Sequence, residues 1–560
     1  MQLRNASGQE AGRRHRAGGE VNAWLPLDWI MLAVAAWVVV GALGMLAWQR
    51  FFVVSHILFP VGALIGLALA LASASALQGE VGLAVLPIGL PQLPVHLRLD
   101  SLAAFFLMVL GAVGAGVSFF AAGYFRRGEG TPPGLLCAQY HVFLASMAAV
   151  LLADDAYTFM VAWECMALAS FFLVTANHKV GEIRRAGFLY LLIAHLGAIA
   201  ILLCFGVLQA QTGDYTFANL RVQALPPFWA ALAFLLALLG FGAKAGMLPL
   251  HVWLPEAHPA APSPVSALMS GLMLKTAVYG LLRVAFDLLQ QAQGWWGVLL
   301  IALGLATALF GVVFAAVQTD MKRLLAYSSI ENIGLALAGT GLALLFRAHS
   351  MPGLAALALT ATLYHVASHA CFKSLLFVGT GAVLHATGER NLGRLGGLIR
   401  HMPWVGWLVL VGVFASAGLP PLSGFVAEWL LLQSFLFTPG LADAFLNMIV
   451  PIAAVAVALV AALAGYTMVK FFGVIFLGQP REDKLKEAHD AGIWERAGMV
   501  WLAGGCVALG LFPTAFIALI DPVTRALVGA GLAEQAGRHG WWLLAPTSIE
   551  RASYSPAFFL

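Results

Sequence analysis

The chain has 560 residues, of which 61% are hydrophobic and only 10% charged, with a mean hydropathy of +0.89. A soluble domain carries roughly 25% charged residues, and a compact water-soluble protein of this size could not cover so much apolar surface, so lipid is the solvent. The formal charge of +4 comes with no basic stripe interleaved with aromatics, which sets nucleic-acid binding aside.

Residues 1–23 are a polar tail containing Arg4, Arg13, Arg14 and Arg16. The apolar run from Trp24 to Trp48 is longer than the roughly 7–15-residue core of a signal peptide, so it reads as a retained membrane helix. A bilayer-spanning helix needs roughly 20 apolar residues. That ruler predicts an all-α polytopic chain of fourteen spans, at about 24–48, 51–77, 101–123, 139–153, 156–175, 186–208, 228–254, 263–290, 296–319, 324–346, 353–386, 404–437, 446–477 and 494–519. Short loops after odd-numbered spans carry fifteen Lys and Arg residues against three after even-numbered spans, which places the odd loops in the cytoplasm. The basic N-terminal tail opposes that orientation. Beyond span 14, Trp541 and Trp542 suit an interfacial helix. The chain stops at Ser555-Pro556-Ala557-Phe558-Phe559-Leu560 as a new apolar run begins, which fits either a truncated chain or a short interfacial tail.

The five cysteines (Cys137, Cys165, Cys204, Cys371, Cys506) are far apart and form no metal-ligand spacing, so they read as small buried residues. No iron–sulfur, haem, other cofactor or metal site is expected, and electron transfer would belong to another chain.

Charged groups inside a membrane are costly and face the bundle interior or a water-filled cavity. Here they are Glu164 on span 5, Lys244 on span 7, Lys275 on span 8, His365, His369 and Lys373 on span 11, and Glu428 on span 12, with Glu331 on span 10 a weaker candidate. Any one could be a structural brace between two helices. Their number, on five or more helices, favours a proton relay, since each buried charge adds desolvation cost with no evident gain in stability. The four-residue spacing of His365, His369 and Lys373 sets them on one helical face at steps of about 6 Å, and histidine titrates nearest neutrality. Two spans look broken. Pro249 removes the bond to the Ala245 carbonyl beside Lys244, and Pro420 and Pro421 interrupt span 12 two turns before Glu428. Paired interrupted helices point to a conduction path, although prolines are also passive kinks.

The run Ala243-Lys244-Ala245-Gly246-Met247-Leu248-Pro249-Leu250-His251-Val252-Trp253-Leu254-Pro255-Glu256-Ala257-His258, continuing to Leu274-Lys275-Thr276, resembles the core signature of a membrane-subunit family. That family comprises the antiporter-like subunits of complex I, Mrp cation/proton antiporters and membrane-bound [NiFe] hydrogenases. Asp320 to Ser329 and His369 to Phe377 match it as well, and the likeness covers roughly 95–480. Leu254 to Ser263 and Ser423 to Trp429 look most like the hydrogenase-4 and formate hydrogenlyase branch.

The resemblance implies two inverted five-helix repeats, spans 4–8 and 9–13, with spans 7 and 12 broken. The chain then divides into the tail 1–23, helices 1–3 at 24–138, a first repeat at 139–290, a second at 296–437 completed by 446–477, and a C-terminal part at 478–560. It further implies that Glu164 and Lys244 form a coupling pair, that Lys275 passes protons to the centre, that His365, His369 and Lys373 bridge the halves, and that Glu428 is the exit group. Lysine stands at this last position in some relatives. A long lateral helix followed by another span, as in the longest complex I subunit, is not seen.

The expected function is a proton-translocating subunit of a redox-driven complex in a bacterial or archaeal cytoplasmic membrane. It would partner other membrane subunits and hydrogenase-like peripheral redox subunits. Mrp-type H⁺ or Na⁺ antiport, a complex I subunit, an inorganic-carbon uptake partner and a purely structural anchor remain open.

Overall fold

Residues 24–126, 130–210, 213–436, 441, 443–546, 550 and 553–559 are described by the computed structural model; the N-terminal tail and Arg127 lie outside them. The helices run α1 (Pro26–Leu46), α2 (Phe51–Ala76), α3 (Ser101–Tyr124), α4 (Pro133–Leu152), α5 (Ala156–Val174), α6 (Gly181–Gln209), α7 (Pro227–Ala260), α8 (Ser263–Leu288), α9 (Gly294–Val317), α10 (Met321–Ala348) and α11 (Pro352–Thr387). Then come the two halves of α12 (Pro403–Ser416 and Ser423–Leu436), followed by α13 (Ala444–Phe476), α14 (Ile493–Leu511) and α15 (Pro513–Val528). Among the described residues twelve helices are long and apolar enough to cross a bilayer, and the halves of α12 are shorter. The chain is therefore an all-α multi-pass membrane protein.

Helix starts follow local chemistry. Proline opens α1, α4, α7, α11, the first half of α12 and α15, where its missing N–H is no loss. Aspartate caps four others and satisfies amides that have no helical partner. Asp100 accepts from Ala103 (2.9 Å), Asp155 from Thr158 (2.6 Å), Asp320 from Lys322 (2.9 Å) and Arg323 (3.0 Å), and Asp443 from Phe445 (2.8 Å).

Three expectations change. Residues 78–100 form an antiparallel hairpin, β1 (Gly82–Leu90) and β2 (Leu93–Leu99), paired from Gly82↔Leu99 to Leu90↔Leu93. Its alternation is masked by Pro87 and Pro94. The fourteenth span ends at Leu511, not 519, because Pro513 starts a new helix bent by 89°. Cys165 is exposed and Cys371 half-buried, so not every cysteine is a core residue.

Burial sorts the helices. Every residue in the apolar stretches of α8 and α10 is buried, and nearly all of α11, whereas α1 and α13 show most of theirs outward. An all-round buried helix sits in the middle of the protein. The three central helices are those carrying Lys275, Glu331 and the His365/His369/Lys373 row. A glycine seam sets α9 against α10. Cβ atoms on Gly297, Gly304 and Gly311, each seven residues apart, would strike α10 backbone at Gly341, Gly334 and Glu331. Such close approach is the usual role of small residues between membrane helices, and here it presses α9 against the turn that bears Glu331.

Candidate functional site

α7 is broken beside Lys244. Its first half ends at Ala245; Gly246 takes a left-handed conformation (φ +84), and its amide donates to the Gly242 carbonyl at 3.0 Å. A peptide that is cis joins Leu248 to Pro249, after which a short turn (Leu250–Trp253) leads into the second half, Leu254–Ala260. The expected cause was Pro249 alone. The helix already stops at Gly246, where glycine has no Cβ penalty, and Pro249 prevents its resumption. Trp253 folds back so that its indole N–H donates to the Ala243 carbonyl at 2.9 Å, which satisfies a buried acceptor at the break.

Lys244 is buried, and its Nζ donates to Tyr190 Oη of α6 at 2.7 Å. It lies 6.0 Å from the ring centre of Trp163. Glu164, expected as its coupling partner, lies within electrostatic range of Lys244, but among the described residues no ion pair within 4.0 Å joins the two. Helical rotation explains this. Trp163 and Met166 point inward, and one residue on from Trp163 is about 100° further round. Glu164 therefore sits at the edge of α5, one-third exposed, with Oε2 at 3.5 Å from Nε2 of His195, itself half exposed on α6.

The centre is a compact polar cluster. Lys275 Nζ donates to His369 Nδ1 at 2.7 Å and to the Ser270 carbonyl at 2.6 Å. That carbonyl lies five residues back because Met269–Met273 is a widened π turn, a form that recurs at functional sites. His365 and His369 stack with ring centres 6.1 Å apart, matching the expected step. His365 Nε2 lies 3.2 Å from the Asn332 carbonyl. Lys373 Nζ donates to Ser328 Oγ (2.8 Å), which donates onward to Glu331 Oε2 (3.0 Å). Ser270 and Ser329 hydroxyls meet at 2.7 Å. The structure thus brings together Lys275, His365, His369, Lys373 and Glu331. Glu331, the weaker candidate, is fully inside.

α12 breaks with the same local order as α7. Gly418 is left-handed (φ +63), the Leu419 amide donates to the Phe414 carbonyl at 3.0 Å, and a cis peptide joins Pro420 to Pro421. Glycine precedes the cis proline by three residues at both breaks. Glu428, in the second half, is buried, and its carboxylate rests against Gly418, where a Cβ would collide with it. Where α7 has Lys244 two residues before its glycine, α12 has buried Ser416.

Sequence reasoning missed several polar members of the interior. Tyr190 on α6, the bridging Ser328, and the buried Lys322 and His258 belong to it, and the half-exposed His195 of α6 meets Glu164 at its outer edge. A mid-span histidine was a legible signal at His195. Serine and tyrosine are too common in membrane helices to stand out.

The family model described as NADH:quinone oxidoreductase/Mrp antiporter, TM matches residues 153–450. Hydrogenase-4 component B of Escherichia coli (strain K12) is 40% identical over 74% of this chain and 62% of its own length, so this chain spans under two-thirds of that relative. Formate hydrogenlyase subunit 3 of the same organism is 36% identical over 80% of this chain and 72% of its own. A chain of the membrane-bound sulfane sulfur reductase, an archaeal respiratory membrane complex, superposes with a TM-score of 0.78 at 27% identity, covering 95% of this chain and 82% of that one. The protein therefore belongs to the NADH:quinone oxidoreductase/Mrp antiporter transmembrane family, as an antiporter-like membrane subunit.

Proposed function

We propose that this chain moves protons across the membrane for a redox-driven complex of the hydrogenase-4 or formate hydrogenlyase kind, with the redox groups on partner subunits. The carrying observation is the Lys275–His369 bond, which joins α8 to α11 at the centre of the protein. Protons would pass from Lys244 by way of Lys275 and His369 to His365, Lys373 and Glu331, and leave by Glu428. The helix breaks at Pro249 and at Pro420 and Pro421 would give Lys244 and Glu428 their room. Inverted repeats at 139–290 and 296–477 are supported by the shared Gly-to-Pro spacing of the two breaks.

Glu164 and His195 lie halfway along α5 and α6 on an outward face. Hydrocarbon does not tolerate such a pair, so a neighbouring membrane subunit would cover it, and redox events there would act on Lys244 through Tyr190. The test is proton uptake by membrane vesicles containing the assembled complex. Lys275→Ala should lower pumping about a hundredfold per assembled complex while subunits still co-purify. A complex that assembles and pumps normally without Lys275 would leave only the anchor reading. Sodium-driven rather than proton-driven flux in wild-type vesicles would favour cation antiport.

A further inference from the structure

A cavity of about 650 Å³ lies at the face read as external, away from the Lys/Arg-rich loops. Leu77 after α2, Arg98 of β2, Asp100 at the start of α3, the end of α8 and one side of α15 enclose it. α15 leaves α14 at a bend of 89°. Since α14 crosses the bilayer, α15 runs along its surface, with Ile517, Ile520 and Val523 buried beneath it and Arg525 more than half exposed. The Ser101 hydroxyl donates to the Pro522 carbonyl at 3.4 Å and ties α15 to the first turn of α3.

Three arginines and three aspartates line the cavity, so its formal charge is zero. Its hydrogen-bonding capacity is not balanced. Asp100 accepts from the Ala103 amide, from Arg98 Nε and twice from Arg283, which fills both lone pairs of each oxygen. Asp521 accepts from the amides of Leu532 (2.7 Å) and Ala533 (2.8 Å) and from Arg525 Nε. Gly531 permits that fit, since a Cβ there would strike the carboxylate. Asp287 accepts from Arg221 and Arg283. Arg283 is itself fully engaged by Asp100, Asp287 and Tyr279. Donors are what remain. Arg98 and Arg525 each use only Nε, and among the described residues their terminal nitrogens bond to no protein group.

We propose that this cavity binds a membrane phospholipid, whose phosphate accepts from Arg98 on one wall and from Arg525 on the other. Guanidinium ends suit phosphate because each presents paired N–H groups to two oxygens. Leu77, Val81, Leu102 and Leu527 supply an apolar lining for the glycerol and the first acyl carbons. Size and place select a lipid over free phosphate. A volume of about 650 Å³ is the scale of a drug-sized ligand, and the surface along which α15 runs is where headgroups lie. A cation is disfavoured because the carboxylate oxygens are already engaged. The bound lipid bridges the hairpin and α15.

Two measurements on the assembled complex test this. A cryo-EM map of the wild type in nanodiscs of phosphatidylglycerol and phosphatidylethanolamine should show a phosphate within hydrogen-bonding distance of Arg98 and Arg525, with lipid density leading from it. A cavity filled by a protein segment, or by water alone, overturns the proposal. In delipidated detergent solution, added phosphatidylglycerol should raise the melting midpoint of the wild-type complex, and Arg98→Gln/Arg525→Gln should lose at least half of that shift. An equal shift in the wild type and the double variant overturns the proposal. So does an equal wild-type shift with inorganic phosphate, which would assign the site to a free anion. The map needs no variant, and it decides the matter if the double variant fails to assemble.

Discussion

Lys275 and His369 approach to 2.7 Å across the α8–α11 contact, with the lysine ammonium the donor to that histidine nitrogen. The pair sits in a cluster where buried lysines outnumber buried carboxylates: beside Lys275 and Lys373 stands Glu331, which Lys373 reaches through Ser328. Replacing Lys275 with alanine removes both the charge and the bond. Pumping per assembled complex should fall about a hundredfold, the scale of losing a positioned proton-transfer group. Vesicle proton uptake, normalised to co-purified subunits, checks it.

Ser328 bridges Lys373 and Glu331 by hydrogen bonds. Ser328→Ala leaves two buried charged groups without their shared hydroxyl and should cost about 1–3 kcal/mol of stability. Pumping should drop as well. Ser328→Thr, which keeps the hydroxyl, should recover more of the pumping than alanine does. Thermal unfolding in detergent together with the uptake assay separates the two effects.

The glycine seam sets the position of Glu331. Gly311→Val pushes against the α10 backbone at Glu331 and should destabilise the protein by about 1–3 kcal/mol, the usual cost of overpacking. Gly206→Ala, on α6 with open space around it, should be neutral. Differential melting of the two purified variants is the measurement.

At the other face Asp100 and Arg283 form a two-point pair at 2.6 and 2.9 Å, with Asp287 at 2.9 Å from the same guanidinium. Burial alone would raise the Asp100 carboxyl, yet Arg283 outweighs it and holds the group well below the ordinary carboxylate range. A lowered folded-state pKa contributes stability above the unfolded value, and that contribution is lost as pH falls through the folded one. The pair should therefore be insensitive to pH between about 5 and 8. Asp100→Asn should cost about 3 kcal/mol throughout that window, the cost of breaking a buried pair. Melting curves at several pH values would reveal it.

Much of this was legible in the residues because lipid makes charge conspicuous. Lys244, Lys275, Lys373 and Glu428 stand out in apolar runs, and all four are buried where a span-by-span reading puts them. The spacing of His365 and His369 translated directly into a stacked pair. What failed was angular. No apolar run tells which way a residue faces, so the contact of Glu164 with His195 at the edge of α5, beside its longer-range influence on Lys244, was not legible. Connections failed too, because the hairpin at Gly82–Leu99 has half its apolar side chains exposed and two prolines, and a hydropathy ruler passes over it. The neutral bridges, Tyr190 and Ser328, carry no charge to betray them.

The outward Glu164–His195 pair has a consequence for assembly. A chain alone in a bilayer must thin the lipid around that spot or draw water to it, and either is costly. Association with a neighbour relieves the penalty, so the site through which redox events would be felt also rewards docking. Before docking, the proposed sensing end of the molecule would stand wet and unengaged.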